Sequence, residues 1–169
     1  AEGEMVARAV QFAETVMATA ALVLIVGTST LLGVLTGLAN TAAGLPAAGS
    51  FAFGMGWAAT GIVYGAIGAV CAQLTTSARA ARGVGLMVIA VTYALRAVGD
   101  LSEPGPSFLS WLSPIGWNQQ IRAYAGDRWW VLLVPLVATA VLVPVAYRLR
   151  GARDLGAGRR GRGQASRSH

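Results

Sequence analysis

Between Glu14 and Arg79 the chain carries no charged side chain. A soluble domain places a charge at about every fourth position, so an uncharged interval this long has no use in water. In hydrocarbon it is a requirement, because each charge buried there costs a few kcal/mol, roughly. Charged residues make up only 12% of the 169-residue chain and hydrophobic ones 55%. The reading is an integral membrane protein, an all-α polytopic helix bundle of about four transmembrane helices.

The spans follow from apolar length and from Pro and Gly punctuation. They cover 15–39, 51–74, 84–99 and 129–147. "NTAAGLPAAGS" (40–50) is a turn between the first two, and "TTSARAARG" (75–83) is a polar loop before the third. Together with residues 107–125 they make a transmembrane region of 15–149. Residues 150–169 are Gly-, Arg- and Ser-rich and read as a basic, disordered tail. Gly33 and Gly37, and Gly61 and Gly65, recur four apart, a spacing that lets membrane helices approach closely.

Residues 1–14 form an amphipathic helix. Met5, Ala9, Phe12 and Val16 repeat at helical spacing, with Glu2, Glu4, Arg8 and Glu14 around them. Periodicity alone fits a solvated lead-in to the first span equally well. Net charge is +6, all of the cations are Arg, and the excess follows Arg148. That placement suits a cytoplasmic flank near anionic headgroups, not a nucleic-acid face. The positive-inside rule puts both termini and the 75–83 loop in the cytoplasm of a multi-pass plasma-membrane protein.

"LSPIGWNQQIRAYAGDRWW" (112–130) concentrates amphipathic residues between oily segments. Pro114 breaks the stretch, so Phe108–Leu112 and Ile115–Ala125 read as two short helices. Trp111, Trp117, Trp129 and Trp130 suit headgroup depth, with Trp129 and Trp130 as the anchor for re-entry. Gln119, Gln120 and Arg122 need water or protein partners. Two arrangements satisfy this: a hairpin dipping into the outer leaflet under protein cover, or a helix lying flat on the surface.

Sites for chemistry are sparse. There is no phosphate-binding GxxxxGK[ST] loop, and the glycines of "GMGWAATG" (54–61) sit inside an oily span. The one histidine is His169, and Cys71 is alone in an apolar run. No catalytic, metal or cofactor site is expected in this chain, and a membrane-embedded enzyme is disfavoured. Asp100 and Glu103 read as loop acids. Arg96 needs a partner or a wet route, and Asp100 lies four residues on along the same helical face. A pair near the interface is the plainer reading; a substrate contact is the other. Pro135 and Pro144 fall within the last span, as tolerated kinks or as bends for gating.

"QLTTSARAARG", "LRAVGD", "LSWLSPIGWNQQIRAYAGDRWW" and "AYRLRGARDLGAG" together resemble the ABC-type-2 permeases of actinobacteria, exporters of polyketide antibiotics or of multiple drugs. The likeness runs to about Gly158, and the SPIGW…AGDRWW block is its most specific part. In that family each half has six transmembrane helices, a cytosolic coupling helix between the second and third, and a re-entrant pair between the fifth and sixth. The resemblance implies that Ala1–Glu14 is the coupling helix, with Glu4, Met5, Arg8 and Phe12 facing an ATPase. It implies that Phe108–Ala125 is the re-entrant pair. The implied function is the permease component of an exporter for hydrophobic or amphipathic compounds. Its partners are a separate ABC ATPase holding ATP and magnesium, the other permease half or missing helices, and the bilayer.

Two departures stand beside this. The first two helices of a half are absent, and "RRGRGQASRSH" differs from the family's apolar ending. Both fit a truncated gene, and the alternative is a non-transporting membrane protein: a remnant, or an assembly or immunity factor.

Topology is directly testable. Cysteines are placed singly at Ser77 and Ser107 in a Cys71→Ala background and probed on intact cells with an impermeant thiol reagent. Ser107→Cys should label and Ser77→Cys should not; the reverse pattern inverts the orientation.

Overall fold

A computed structural model describes residues 2–101 and 108–165. Glu103, the first residue of the 107–125 segment and the last four residues of the chain lie outside the described residues. The elements are α1 (Glu2–Ala42), α2 (Ala47–Leu74), α3 (Ala78–Asp100), α4 (Phe108–Trp111), α5 (Pro114–Gln120), a 3-10 turn (Trp129–Leu132) and α6 (Leu133–Ala165). Four helical stretches are long and apolar enough to cross a membrane: Gly3–Ala42, Ala47–Leu74, Ala78–Asp100 and Trp129–Ala152. The architecture is an all-α membrane helix bundle.

α2 lies at its centre. α1, α3, α5, α6 and the 3-10 turn all pack on it. Its buried positions are mostly small: Gly49, Ser50, Ala52, Gly54, Gly56, Ala58 and Thr60. α1 runs antiparallel to α2, so that Gly37 faces Phe51, Gly33 faces Gly54, and Ser29 faces Gly61. At Gly33 a Cβ would lie 2.6 Å from the Gly54 carbonyl oxygen and 2.8 Å from the Ala58 Cβ. Only two glycines allow the backbones to come this near. The outer face of α1 leaves Leu24, Leu31, Leu32 and Leu35 exposed, which suits lipid contact. Two of its threonines satisfy their hydroxyls locally: Thr28 donates to Leu24 O and Thr36 to Leu32 O, at 2.7 and 2.8 Å.

α6 returns antiparallel to α1. The Thr19 and Tyr147 hydroxyls are 2.8 Å apart, and Arg150 holds the Glu14 carboxylate at 3.1 Å. One end of the bundle therefore collects Glu14, Arg150 and, at the start of α3, Arg79 and Arg82.

Three boundaries of the long helices differ from the sequence reading. Residues 2–14 are not a separate helix; α1 is continuous over 41 residues, because nothing between Glu2 and Ala42 breaks the pattern. The 75–83 loop shrinks to three residues. The Ser77 side chain accepts from Ala80 N and caps a run of Ala and Arg, both strong helix formers, so α3 begins at Ala78. α6 is helical as far as Ala165, into the stretch read as a disordered tail; a helix already nucleated propagates cheaply. Pro135 lies in the first turn of α6, where its missing N–H costs little, while Pro144 lies inside the helix.

The glycine crossing makes a prediction. Gly54→Leu should lower the melting temperature of the detergent-purified protein, since overpacking costs about 1–3 kcal/mol. Gly27→Ala, where a Cβ meets nothing within 4 Å, should leave it unchanged. Equal effects at the two positions would show that the close approach does not hold α1 to α2.

Candidate functional site

Two features stand out: the hairpin between α3 and α6, and a groove along α2. The hairpin begins beside the end of α3. Ser110 is fully buried and donates to Asp100 Oδ1 at 3.2 Å. Asp100 also holds the Arg96 guanidinium at 3.1 Å through Oδ2. One carboxylate thus fixes α4 to α3 and neutralises the arginine. The Arg96 Nε is buried without a hydrogen-bond partner among the described residues, as is the hydroxyl of Ser113.

Ser113 is extended and ends α4's turn, and Pro114 occupies the first turn of α5, where its fixed φ suits a helix start. α4 and α5 fold tightly on each other: a Cβ on Gly116 would collide with the Ser110 carbonyl, and the Trp117 indole N–H donates to Trp111 O. α5 then lies against α2. A Cβ on Gly56 would collide with Asn118 and reach within 2.7 Å of Ile121 Cδ1. The Thr60 hydroxyl lies 3.4 Å from the Pro114 carbonyl. Thr60 is thirteen residues beyond Ala47, about 20 Å along α2 at 1.5 Å per residue. Ala52, Ile121 and Val131 form the core here, with Trp111, Trp117, Ala123 and Leu132 packed around it. Trp111 stacks on Trp130 at 6.1 Å between centroids.

α5 stops at Gln120, five residues short of the expected Ala125. Arg122, Tyr124 and Asp127 adopt positive φ of 50°, 66° and 39°, which no α-helix accommodates. Bonds within the turn hold it. Arg128 N donates to Ile121 O at 2.7 Å, and Tyr124 N donates to the Asp127 carboxylate at 2.8 Å. The Tyr124 ring lies across Gly49, where a Cβ would meet it. Its hydroxyl accepts from Asn40 Nδ2 at 3.0 Å and lies 3.4 Å from Ser50 Oγ. Tyr124 therefore clips the hairpin to the α1–α2 turn.

The groove lies between α1 and α6 with α2 as its floor. Its inner section has a volume of about 380 Å³ and is bounded by Leu22, Ile25, Gly65, Ala69, Tyr147 and Arg150. Further sections continue past Val26, Ile62 and Thr139 toward Met55 and Pro135. Its lining is almost wholly apolar, and the Thr19–Tyr147 and Glu14–Arg150 contacts span it at one end.

The residues singled out in the sequence divide into groups. Arg96 and Asp100 come together. Trp111, Pro114, Trp117 and Gln120 lie in or against the hairpin core, with Pro114 and Gln120 buried, whereas Gln119 and Arg122 are exposed. Trp129 and Trp130 are half exposed, at 42% and 55%. Glu4, Met5, Arg8 and Phe12 all lie on exposed α1 turns, apart from both features. The sequence reading passed over Asn40, Ser50, Ser110, Ser113, Asn118 and Tyr124. Only the Gly49-Ser50 pair, a small-residue seat at the head of a span, hinted at any of them. Among the described residues no group of three or more His, Cys, Asp or Glu is placed to hold a metal.

No family model matches the chain. Among curated proteins, a multidrug efflux system permease protein of Mycobacterium tuberculosis is 50% identical over 140 residues, which is 83% of this chain and 25% of the relative. The chain thus spans a quarter of the length of the curated relative it matches.

The shared carboxylate generates a prediction. Asp100→Ala should cost about 1–3 kcal/mol, since it leaves the buried Ser110 hydroxyl and the largely covered Arg96 guanidinium unpaired; Arg96→Ala should cost less, because Asp100 is exposed and keeps Ser110. The double variant should lose less than the sum in a thermal-unfolding cycle. Strict additivity would mean that the two do not act as a pair.

Proposed function

The chain is homologous to part of a multidrug efflux permease, and on that premise we propose that it is a membrane-spanning segment of an ABC-type-2 exporter. It forms part of the path for hydrophobic or amphipathic compounds, and a separate ATPase, carrying ATP and magnesium, drives it. The observation that carries this reading is 50% identity over 83% of the chain, in a bundle of four spans long enough to cross the membrane.

The first turns of α1 receive the ATPase. Met5, Val6, Val10 and Phe12 are 69%, 64%, 51% and 73% exposed, at the end of the bundle where lipid cover gives way to solvent. An amphipathic helix end of this kind suits a groove on a partner, with apolar anchors supplying the energy and Glu4 and Arg8 setting register. Because α1 is unbroken, about 60 Å long, motion at residues 3–14 is carried as a rigid displacement to the Gly33–Gly54 crossing. The Glu14–Arg150 pair ties the root of this lever to α6.

The hairpin is re-entrant at the opposite, outer end. Support comes from the position of Pro114 beside Thr60, deep along α2, and from the cover that Ala52, Ile121 and Val131 give its backbone. A helix lying flat at the surface would not reach that depth. With four spans and an Arg-rich inner end, both termini are cytoplasmic. The other permease half and further helices complete the path, and the α1–α6 groove belongs to that surface.

The coupling role is tested in a complete permease bearing this segment. Met5→Asp should release the cognate ATPase on co-purification, or abolish drug-stimulated hydrolysis in lipid vesicles, without loss of membrane insertion. Arg8→Ala should be milder, as an exposed rim charge is worth about 1 kcal/mol or less. Full ATPase binding and stimulation in Met5→Asp would show that this helix is not the coupling element.

A further inference from the structure

We propose that the crevice between α2 and α3, at the Arg79–Arg82 end of the bundle, binds one anionic glycerophospholipid. Its acyl chain lies in the crevice and its phosphate meets the two guanidinium groups.

The crevice has a volume of about 440 Å³ and is bounded by Tyr64, Ile67, Ala81, Arg82, Gly85 and Ile89. Its walls are apolar except at the mouth, where Arg82 stands. The Tyr64 and Thr92 hydroxyls meet at 2.8 Å and close its deep end. From Arg82 to Ile89 the helix rises about 10 Å, room for the first part of an acyl chain. A helix with side chains is about 10 Å across and would have to part walls that this hydrogen bond holds together.

Charge selects among lipids. Arg79 and Arg82 lie one turn apart on α3, both exposed, and neither has an ion-pair or hydrogen-bond partner among the described residues. No Asp or Glu occurs in the sequence between Glu14 and Asp100, and Asp100 is at the far end of α3. The mouth therefore carries one uncompensated positive charge, Arg82, and a second, Arg79, stands one turn further toward the start of α3. The groove between α1 and α6 differs in this respect: its arginine, Arg150, is already neutralised by Glu14, so it offers a headgroup no net charge. A basic pocket between membrane helices beside an apolar crevice is the arrangement that anionic headgroups recognise. The inference needs membrane insertion but not transport.

The 169-residue chain is purified in detergent, mixed with equal amounts of phosphatidylglycerol and phosphatidylcholine, and examined by native mass spectrometry. One phosphatidylglycerol should be retained per chain in preference to phosphatidylcholine. Arg79→Gln and Arg82→Gln should each reduce that preference about fivefold. Gly85→Phe keeps both arginines but fills the crevice, and should abolish retention. Arg128→Gln, an exposed arginine in the hairpin at the opposite end of the bundle, should leave the preference unchanged. Equal retention of the two lipids by the wild-type chain would overturn the proposal. Undiminished phosphatidylglycerol on Gly85→Phe would also overturn it, since the arginines would then be attracting lipid at the open surface. So would a lipid-free dimer, which would make a second copy the occupant. Arg79 and Arg82 are exposed, so their variants decide the matter even if Gly85→Phe misfolds, a point checked by far-ultraviolet circular dichroism.

Discussion

The bundle depends on how closely backbone can approach backbone along α2. Lipid tails are as apolar as leucine, so burial of oily side chains gives membrane helices little reason to associate. Contact must come from packing, and packing is densest where side chains are smallest. Gly33 against Gly54 brings α1 onto α2. The same device recurs at Gly49, which seats the Tyr124 ring, and at Gly56, which seats Asn118 and Ile121. A helix with bulky residues at these sites would hold its neighbours a side chain's breadth away, and the hairpin would lose its bed.

Once the hairpin is bedded there, its polar groups have to be satisfied without bulk water. The cost of an unmade hydrogen bond in a low-dielectric setting is what organises this region. Asp100 serves Arg96 and Ser110 together. Thr60, already bonded to Gly56 O at 2.9 Å, faces the Pro114 carbonyl. The turn from Ile121 to Arg128 replaces helical bonds with its own set, and Asp127 takes the Tyr124 amide. These contacts join α3, α2, the hairpin and the α1–α2 turn into one connected end. Among the described residues, α1 and α6 meet at the opposite end through the bonds of Arg150 to Glu14 and the contact of the Thr19 and Tyr147 hydroxyls.

The sequence reading and the structure diverge where local rules compete with tertiary ones. Arg79 and Arg82 read as loop because charge ends an apolar span; Ser77 and the alanines make them helix, outside the apolar core but on the same rod. Residues 1–14 read as a separate element because their pattern differs from that of the span, yet a change of polarity does not break a helix. The helix expected at 115–125 ends early because Arg122 and Tyr124 take positive φ, a cost met by the seat on Gly49 and the bonds to Asn40 and Asp127.

What the sequence by itself determined was the solvent. The uncharged interval, the length of the oily runs, the four-apart glycines and the arginine flanks state that this chain forms helices in a membrane, how many they are, and which end bears positive charge. Those properties follow from each segment's own exchange between water and hydrocarbon, and need no knowledge of neighbours. Only the tertiary structure decided that α2 is the common floor, that Gly33 meets Gly54 while Gly37 meets Phe51, and that Tyr124, Ser110 and Asn118 fix the hairpin. Those positions are set by contacts between residues far apart in the chain, among them Gly49 with Tyr124 and Asp100 with Ser110. Their energy exists only once the helices have met.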